Sequence, residues 1–260
     1  MSRPLILLYG LAAYAIFFVT FLYAIGFTGN LVVPKSIDSG QTVGLGESLV
    51  VNLILLGVFA IQHTIMARPA FKRWFTRIIP EAAERSTFVL ASSLALILLY
   101  WQWRPMTGSV WSLETPALRA VLWSIFAIGW LLVLASTFLI NHFDLFGLRQ
   151  VYKHFSKQEY RHIQFVKQNL YHYLRHPIML GFIIAFWATP DMTVGHLLFA
   201  IGTTGYILVG IRFEEHDMRA YVGEEYDAYR EEVPMLCPIH IFRKKKAPSD
   251  DGATASSSTR

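Results

Sequence analysis

Cysteine is almost missing: Cys237 is the single one in 260 residues. A disulfide within the chain and a cysteine-based metal cage are both excluded. Cys237 lies between prolines in PMLCPIH, with nothing nearby to lower its pKa, and reads as structural. Charge is scarce as well: 16% of residues are charged and 54% hydrophobic, where a soluble domain carries about 25% charge. That deficit excludes an ordinary soluble domain and points to a membrane protein. The formal charge of +5 then reads as loop charge that orients the chain in a bilayer, and no nucleic-acid partner is expected. The nine histidines include no adjacent pair, whereas a membrane di-iron site needs grouped boxes with adjacent histidines. His172 and His176 form an H-x-x-x-H pair, with His162 and His216 as possible companions, but Pro177 disfavours a helix through His176, so no metal is expected. GLG at Gly44–Gly46 neither follows a strand nor opens a βαβ unit, so a bound dinucleotide lacks its fingerprint.

Long apolar runs are what the chain has instead. A hydrocarbon core about 30 Å thick takes about 20 helical residues at about 1.5 Å each. Leu5–Phe27, Leu49–Met66, Phe88–Trp103 and Leu118–Ile140 meet or approach that length. The first is too long for a signal-peptide core and lacks a small-residue cleavage site, so it reads as a retained span. The third is short and ends in YWQWRP, aromatic residues suited to an interface. Ile178–Ala188 and Val194–Ile211 follow, parted only by TPDMT, which predicts a tight helical hairpin with a brief first arm. The expected fold is all-α: a polytopic membrane helix bundle of five to six spans with a C-terminal hairpin, embedded in lipid. GLRQVYKHFSKQEYRHIQFVKQNLYHY is too polar to span; Leu148, Val151, Tyr152 and Phe155 recur at helical spacing and predict an interfacial amphipathic helix.

Lysine and arginine alternate between loops. Arg68, Lys72, Arg73, Arg77 and Arg85 follow the second span, and Arg149, Lys153, Lys157, Arg161, Lys167 and Arg175 follow the fourth. The loop after the first span holds only Lys35, the loop after the third only Arg104, and the hairpin turn none. This places both termini and the basic loops, with RKKK at Arg243–Lys246, in the cytoplasm. Composition divides the chain into an N-terminal transmembrane bundle (1–140), a unit of interface segment, hairpin and polar cluster (141–242), and a small polar tail (243–260) that reads as disordered.

The hairpin has a consequence. It leaves the cytoplasmic face at Pro177 and returns near Arg212, so LRHP and RFEEHD meet at one surface although about 40 residues apart in a chain read by the span rule. Pro177 suits the first position of a helix, whose free N–H groups attract anions. Gly181, one turn on, would let a ligand approach the backbone. Glu214 and Glu215 have Arg175, Arg212 and Arg219 within reach as ion-pair partners. The alternative to simple ion pairing is a site for a zwitterion: the helix start and Arg175 for a carboxylate, Glu214 or Glu215 for an ammonium or ribose hydroxyls, and Tyr171, Tyr173, Tyr226 and Tyr229 to flank an adenine. S-adenosylmethionine carries all of these groups.

The run YHYLRHPIMLG, followed by EE, then YVGEEYDAY and VP, resembles the integral membrane methyltransferases, which include the isoprenylcysteine carboxyl and phospholipid methyltransferases. The likeness covers residues 169–234. It implies S-adenosylmethionine contacts at Tyr171, His176, Gly181, Glu214 and Glu215 in a cytoplasmic site. This chain has Met179 where such proteins usually have Tyr, which implies a different acceptor. QHTIMARPAFKRWFTRIIPEAAERSTFVLASSLALILLYWQWRP and NHFDLFGLRQVY resemble a bacterial subgroup, the methanethiol S-methyltransferases and NnrU-like membrane proteins. That likeness implies a bacterial inner-membrane enzyme, a small thiol acceptor (methanethiol) and dimethyl sulfide as product. The remaining alternatives are an isoprenylcysteine or lipid acceptor, and a non-catalytic NnrU-like protein. The soluble methyltransferase fold is set aside for want of a nucleotide fingerprint.

Methyl transfer from a sulfonium is an in-line displacement, so the protein mainly positions and desolvates. A simple alkyl thiol has a pKa above the ~8.5 of cysteine, so forming its thiolate near neutral pH costs more than about 2 kcal/mol. A base or a cationic neighbour offsets that cost. The catalytic candidates are His142, Arg175 and Tyr206, with His63 a further one. Sequence alone does not choose among them, nor does it set the oligomeric state.

Overall fold

The computed structural model describes residues 2–161 and 169–237. His162, Lys167, the basic run 243–246 and the tail read as disordered lie outside the described residues. Among the described residues five helices are long and apolar enough to cross a membrane: α1 (Arg3–Gly29), α2 (Leu45–Ala67), α4 (Glu81–Gln102), α5 (Pro116–Ile140) and α9 (Val194–Val222). Between and after them come α3 (Pro69–Phe75), β1 (Ser109–Ser112), α6 (His142–Leu145), α7 (Leu148–Phe155), a single 3-10 turn (Asn169–His172), α8 (Pro177–Trp187), β2 (Asp191–Thr193) and α10 (Glu224–Glu232). The chain is an integral membrane protein of the all-α class, with large apolar side chains such as Val19, Ile54, Ile61 and Leu131 turned outward along the spanning helices.

Local chemistry explains the helix starts. Proline occupies the first turn of α1, α3, α5 and α8, where a missing N–H costs no hydrogen bond. Thr193 caps α9 by accepting from the His196 N–H at 3.1 Å. The third span begins earlier than its apolar run, because the amphipathic turns from Glu81 to Thr87 continue the helix at its polar end.

The hairpin of α8 and α9 is present, and its first arm is short: 11 residues, about 16 Å at 1.5 Å per residue. Its turn is more structured than a bare loop. Asp191–Thr193 pairs antiparallel with Ser109–Ser112, and Arg119 donates to both oxygens of Asp191 at 2.9 and 2.7 Å. We call this the clasp end and the opposite, arginine-rich end the basic end. At the clasp end the core is aromatic, with Phe27, Trp103, Phe126, Trp130, Phe186 and Phe199 buried together. There Asn52, fully buried on α2, donates to the Arg104 carbonyl and accepts from its N–H, both at 2.8 Å.

Two departures from the sequence reading bear on the site. A side chain at Gly181 would lie 2.8 Å from the Gly129 carbonyl oxygen and 2.9 Å from the Val133 nitrogen. The room Gly181 leaves is therefore taken by α5, in the small-residue packing usual between membrane helices, and the glycine serves helix contact in place of the ligand approach expected of it. On α7 the apolar stripe is split. Val151 is fully buried against α1, while Tyr152 and Phe155 are exposed.

Candidate functional site

At the basic end the chain runs through the 3-10 turn into α8 just where α9 returns. Glu215 is the hub. Its Oε1 accepts from Arg175 Nε at 2.8 Å and lies 3.1 Å from His176 Nε2, and its Oε2 accepts from Arg230 Nε at 3.1 Å. Arg175 then donates from Nη1 to the carbonyls of Arg230 and Val233 at 2.7 and 2.8 Å. Backbone bonds from the N–H groups of Arg175 and His176 to the carbonyls of Pro234 and Met235, at 3.0 and 3.2 Å, bind the segment after α10 onto the start of α8. Gly223 makes this return possible: its φ of +75° turns α9 into α10, a conformation that costs glycine little.

The two carboxylates thus divide. Glu215 is buried, with 10% of its side chain exposed; Glu214, one residue earlier on the helix, is 53% exposed, with His176 Nδ1 3.7 Å away. Successive residues on a helix point about 100° apart, so one acid faces Arg175, His176 and Arg230, a group we call the clamp, and the other faces outward beside the first turn of α8.

The tyrosines divide as well. Tyr226 and Tyr229 are buried with Val233, against Met218 and Val222, so they are packing between α9 and α10 and are not free to flank an adenine. The Tyr229 hydroxyl donates to the Tyr171 carbonyl at 2.5 Å, and burial pushes its pKa up to about 12, which keeps it a donor. Tyr171 is half-buried, its hydroxyl held protonated by burial first and by the Glu214 carboxylate second. Tyr173 is exposed, edge-on to His172.

The structure brings together Arg175, His176, Glu214 and Glu215, with Tyr171 beside them. It does not bring His142 to that group. His142 is buried elsewhere, at the foot of α5, with Nε2 2.8 Å from the Tyr14 hydroxyl, Nδ1 2.8 Å from the Thr137 hydroxyl, and its ring stacked on Phe138 at 4.2 Å. Both ring nitrogens are therefore engaged, and burial lowers its pKa. These contacts make a packing imidazole, where sequence suggested a base. Arg175, expected to serve a ligand or a thiolate, is spent on Glu215 and two carbonyls. Tyr206 lies on the α2 side of α9, where its oxygen is 3.4 Å from the Thr64 hydroxyl. Arg230 is missed by sequence reasoning; its one signal is the YDAYREE run, a short helix whose basic residue points back at Glu215 of the acidic pair. Arg219, which the sequence puts within reach of that pair, turns to Asp227 at 2.7 Å.

With that geometry in view, the comparisons with known proteins decide the family. The sequence profile described as "NnrU protein" matches residues 51–221. The chain belongs to the NnrU family. Within reach of this family the chain is 57% identical to a Mycobacterium tuberculosis protein named methanethiol S-methyltransferase, over 92% of this chain and 98% of the relative. It is 52% identical to methanethiol S-methyltransferase 2 of Bradyrhizobium diazoefficiens, over 97% and 98% of the two chains. A more distant relative, nurim of Mus musculus, is 29% identical over 66% of this chain and 68% of its own. No solved structure matches the chain.

The residues present fit a zwitterionic methyl donor only in part. Glu214 is an outward carboxylate beside a helix start, which suits an ammonium or a pair of ribose hydroxyls. The carboxylate end must look to the N–H groups of the first turn of α8, since Arg175 is already paired.

Proposed function

We propose that this NnrU-family protein transfers a methyl group to methanethiol, giving dimethyl sulfide, with S-adenosylmethionine as the donor. The observation that carries this is near end-to-end identity, 57% over 98% of the relative, with a protein named methanethiol S-methyltransferase. The basic end supports it with an acid, a helix start and half-buried Tyr171 side by side.

S-adenosylmethionine, when bound, supplies a methyl group on a sulfonium centre. Glu214 holds the ammonium or ribose hydroxyls, the first turn of α8 faces the carboxylate, and Tyr171 and exposed Tyr173 border the base. Glu215, with Arg175, His176 and Arg230, fixes the angle at which α8 and α9 meet; these four position the site. In this reading residues 1–140 form the N-terminal transmembrane bundle, and residues 141–242 carry the interface segment, the membrane hairpin and the donor module. The basic loops and both termini face the cytoplasm of a bacterial inner membrane.

The test is Glu214→Gln in purified protein. We expect S-adenosylmethionine affinity to fall about 10-fold or more, in keeping with about 1.5–3 kcal/mol for a hydrogen bond to a charged group, with helix content unchanged. Headspace dimethyl sulfide from cells fed methanethiol should fall with it. Wild-type protein that is not thermally stabilised by S-adenosylmethionine and releases no dimethyl sulfide overturns the reading; release of a methylated lipid or isoprenylcysteine instead replaces the acceptor.

A further inference from the structure

A second polar cluster lies between α2, α4 and α9, away from the clamp. His63 on α2 has Nδ1 3.1 Å from the Ser92 hydroxyl on α4. Its ring packs on Phe88 at 4.8 Å, on Phe59 at 5.3 Å, and edge-on to Tyr206 of α9 at 6.3 Å. The Thr64 hydroxyl donates to the Tyr206 oxygen at 3.4 Å, so the phenol keeps its own proton to give. Polar side chains inside a membrane bundle are costly and usually mark function. This cluster also follows the right helix. Tyr206 precedes Glu214 by eight residues on α9, about 12 Å, and where α2 ends, Arg68 pairs with Asp217 at 3.0 Å and lies over Phe213 at 5.2 Å. The seam between α2 and α9 thus runs from His63 and Tyr206 to the outward acid of the donor site.

We propose that this seam is the acceptor site: a small apolar thiol binds between α2, α4 and α9 with its sulfur at His63 and Tyr206. This rests on the methyltransferase reading and assigns the half of the reaction that the clamp leaves open. In the tautomer whose Nδ1–H donates to the Ser92 hydroxyl, Nε2 is the basic nitrogen. The thiol S–H proton passes to His63 Nε2. The sulfur electron pair forms the new S–C bond, and the old C–S bond breaks with its electrons left on the departing sulfur of the sulfonium donor. Tyr206 donates a hydrogen bond to the sulfur as its charge develops. The titratable or charged groups facing His63 are Tyr206 from α9 and Arg85 from α4, whose guanidinium lies 4.9 Å over Phe88; Arg68 is further along its own helix. All are neutral or cationic, so they favour a thiolate but oppose a second positive charge on the imidazole, and the proton is taken only as negative charge develops on the sulfur beside it. Ser92 is a positioning residue that sets the tautomer. His142, with both nitrogens engaged, lacks this opening.

The experiment uses His63→Asn and Tyr206→Phe in the full chain, with wild type as reference. Protein saturated with S-adenosylhomocysteine, which carries no methyl to transfer, is titrated with methanethiol while the ultraviolet band of a thiolate is followed against pH. Wild type should show the band below the pKa of the free thiol, and His63→Asn only near it. In turnover, His63→Asn should lose about 100-fold or more near neutral pH and regain rate about tenfold per pH unit as solution supplies the thiolate. Tyr206→Phe should raise KM for methanethiol several-fold. S-adenosylhomocysteine affinity should match wild type in both variants, which reports that they fold. A thiolate band and pH profile identical to wild type in His63→Asn, with KM unmoved in Tyr206→Phe, overturns the assignment. If wild type itself neither binds S-adenosylhomocysteine nor forms dimethyl sulfide, the broader reading fails. If His63→Asn does not fold, the KM of Tyr206→Phe decides alone.

Discussion

Two arginine–carboxylate pairs close the two ends of the α8–α9 hairpin, and they differ in almost everything but chemistry. At the basic end Arg175 and Glu215 are 9% and 10% exposed, and Glu215 is shared with His176 and Arg230. At the clasp end Arg119 and Asp191 are 36% and 44% exposed, in a bidentate pair backed by the Ser112 hydroxyl at 2.6 Å. The exposed pair can exchange its partner for water. The buried one cannot, so it fixes geometry: removing one member strands the other in a poor solvent. The clasp settles where the turn sits; the clamp settles the angle at which Glu214 is presented.

The largest expected effect breaks the clamp. Glu215→Ala leaves Arg175 buried without its acid, a change of about 3–5 kcal/mol for a broken buried pair. Melting in detergent should drop sharply, and donor binding should go with it. Melting like that of wild type would make the two ends equivalent after all. Gly181→Ala comes next. Its new methyl meets backbone atoms of α5 at 2.8–2.9 Å, and overpacking of this kind costs about 1–3 kcal/mol. Gly205→Ala, with nothing within 4 Å, should melt as wild type or slightly above. Equal melting for both would show that α5 and α8 are not pressed together. Asp191→Asn should have the smallest effect. Hydrogen bonds from Arg119 and Ser112 hold the Asp191 carboxyl below its ordinary value of 3.8, so its contribution is present above that value and lost as pH falls through the depressed one. Melting of Asp191→Asn should sit slightly below wild type at pH 6 and converge with it in stronger acid. A gap that persists unchanged in acid would separate the clasp from Asp191 ionisation.

Much of this was legible in the chain. Hydropathy alone locates Leu5–Phe27 and Leu118–Ile140 to within a turn of α1 and α5, since a spanning helix must be apolar on nearly every face. The fold-back is legible because TPDMT is too short for anything but a hairpin, and it brings Arg175 to Glu215. What stayed hidden depends on rotation and on partners. Which of two adjacent acids faces inward follows from how α9 is turned about its axis, and the apolar residues around Glu214 and Glu215 encode that weakly. The neighbour of Gly181 comes from α5, about 50 residues earlier in a bundle whose pairing hydropathy does not state. His142 looks like a base in one dimension because Tyr14, which occupies its Nε2, comes from the first helix. The β1–β2 clasp is four residues against three, too short for an alternating pattern to stand out.

α9 has 29 residues, about 43 Å of unbroken rod, against a hydrocarbon slab of about 30 Å. A single stiff element therefore stands in two solvents, greasy at one end and wet at the other, with no joint between. For the reaction proposed above, an oily volatile and a charged nucleoside that would not dissolve together each have their own phase along it, and the boundary between those phases becomes their place of meeting.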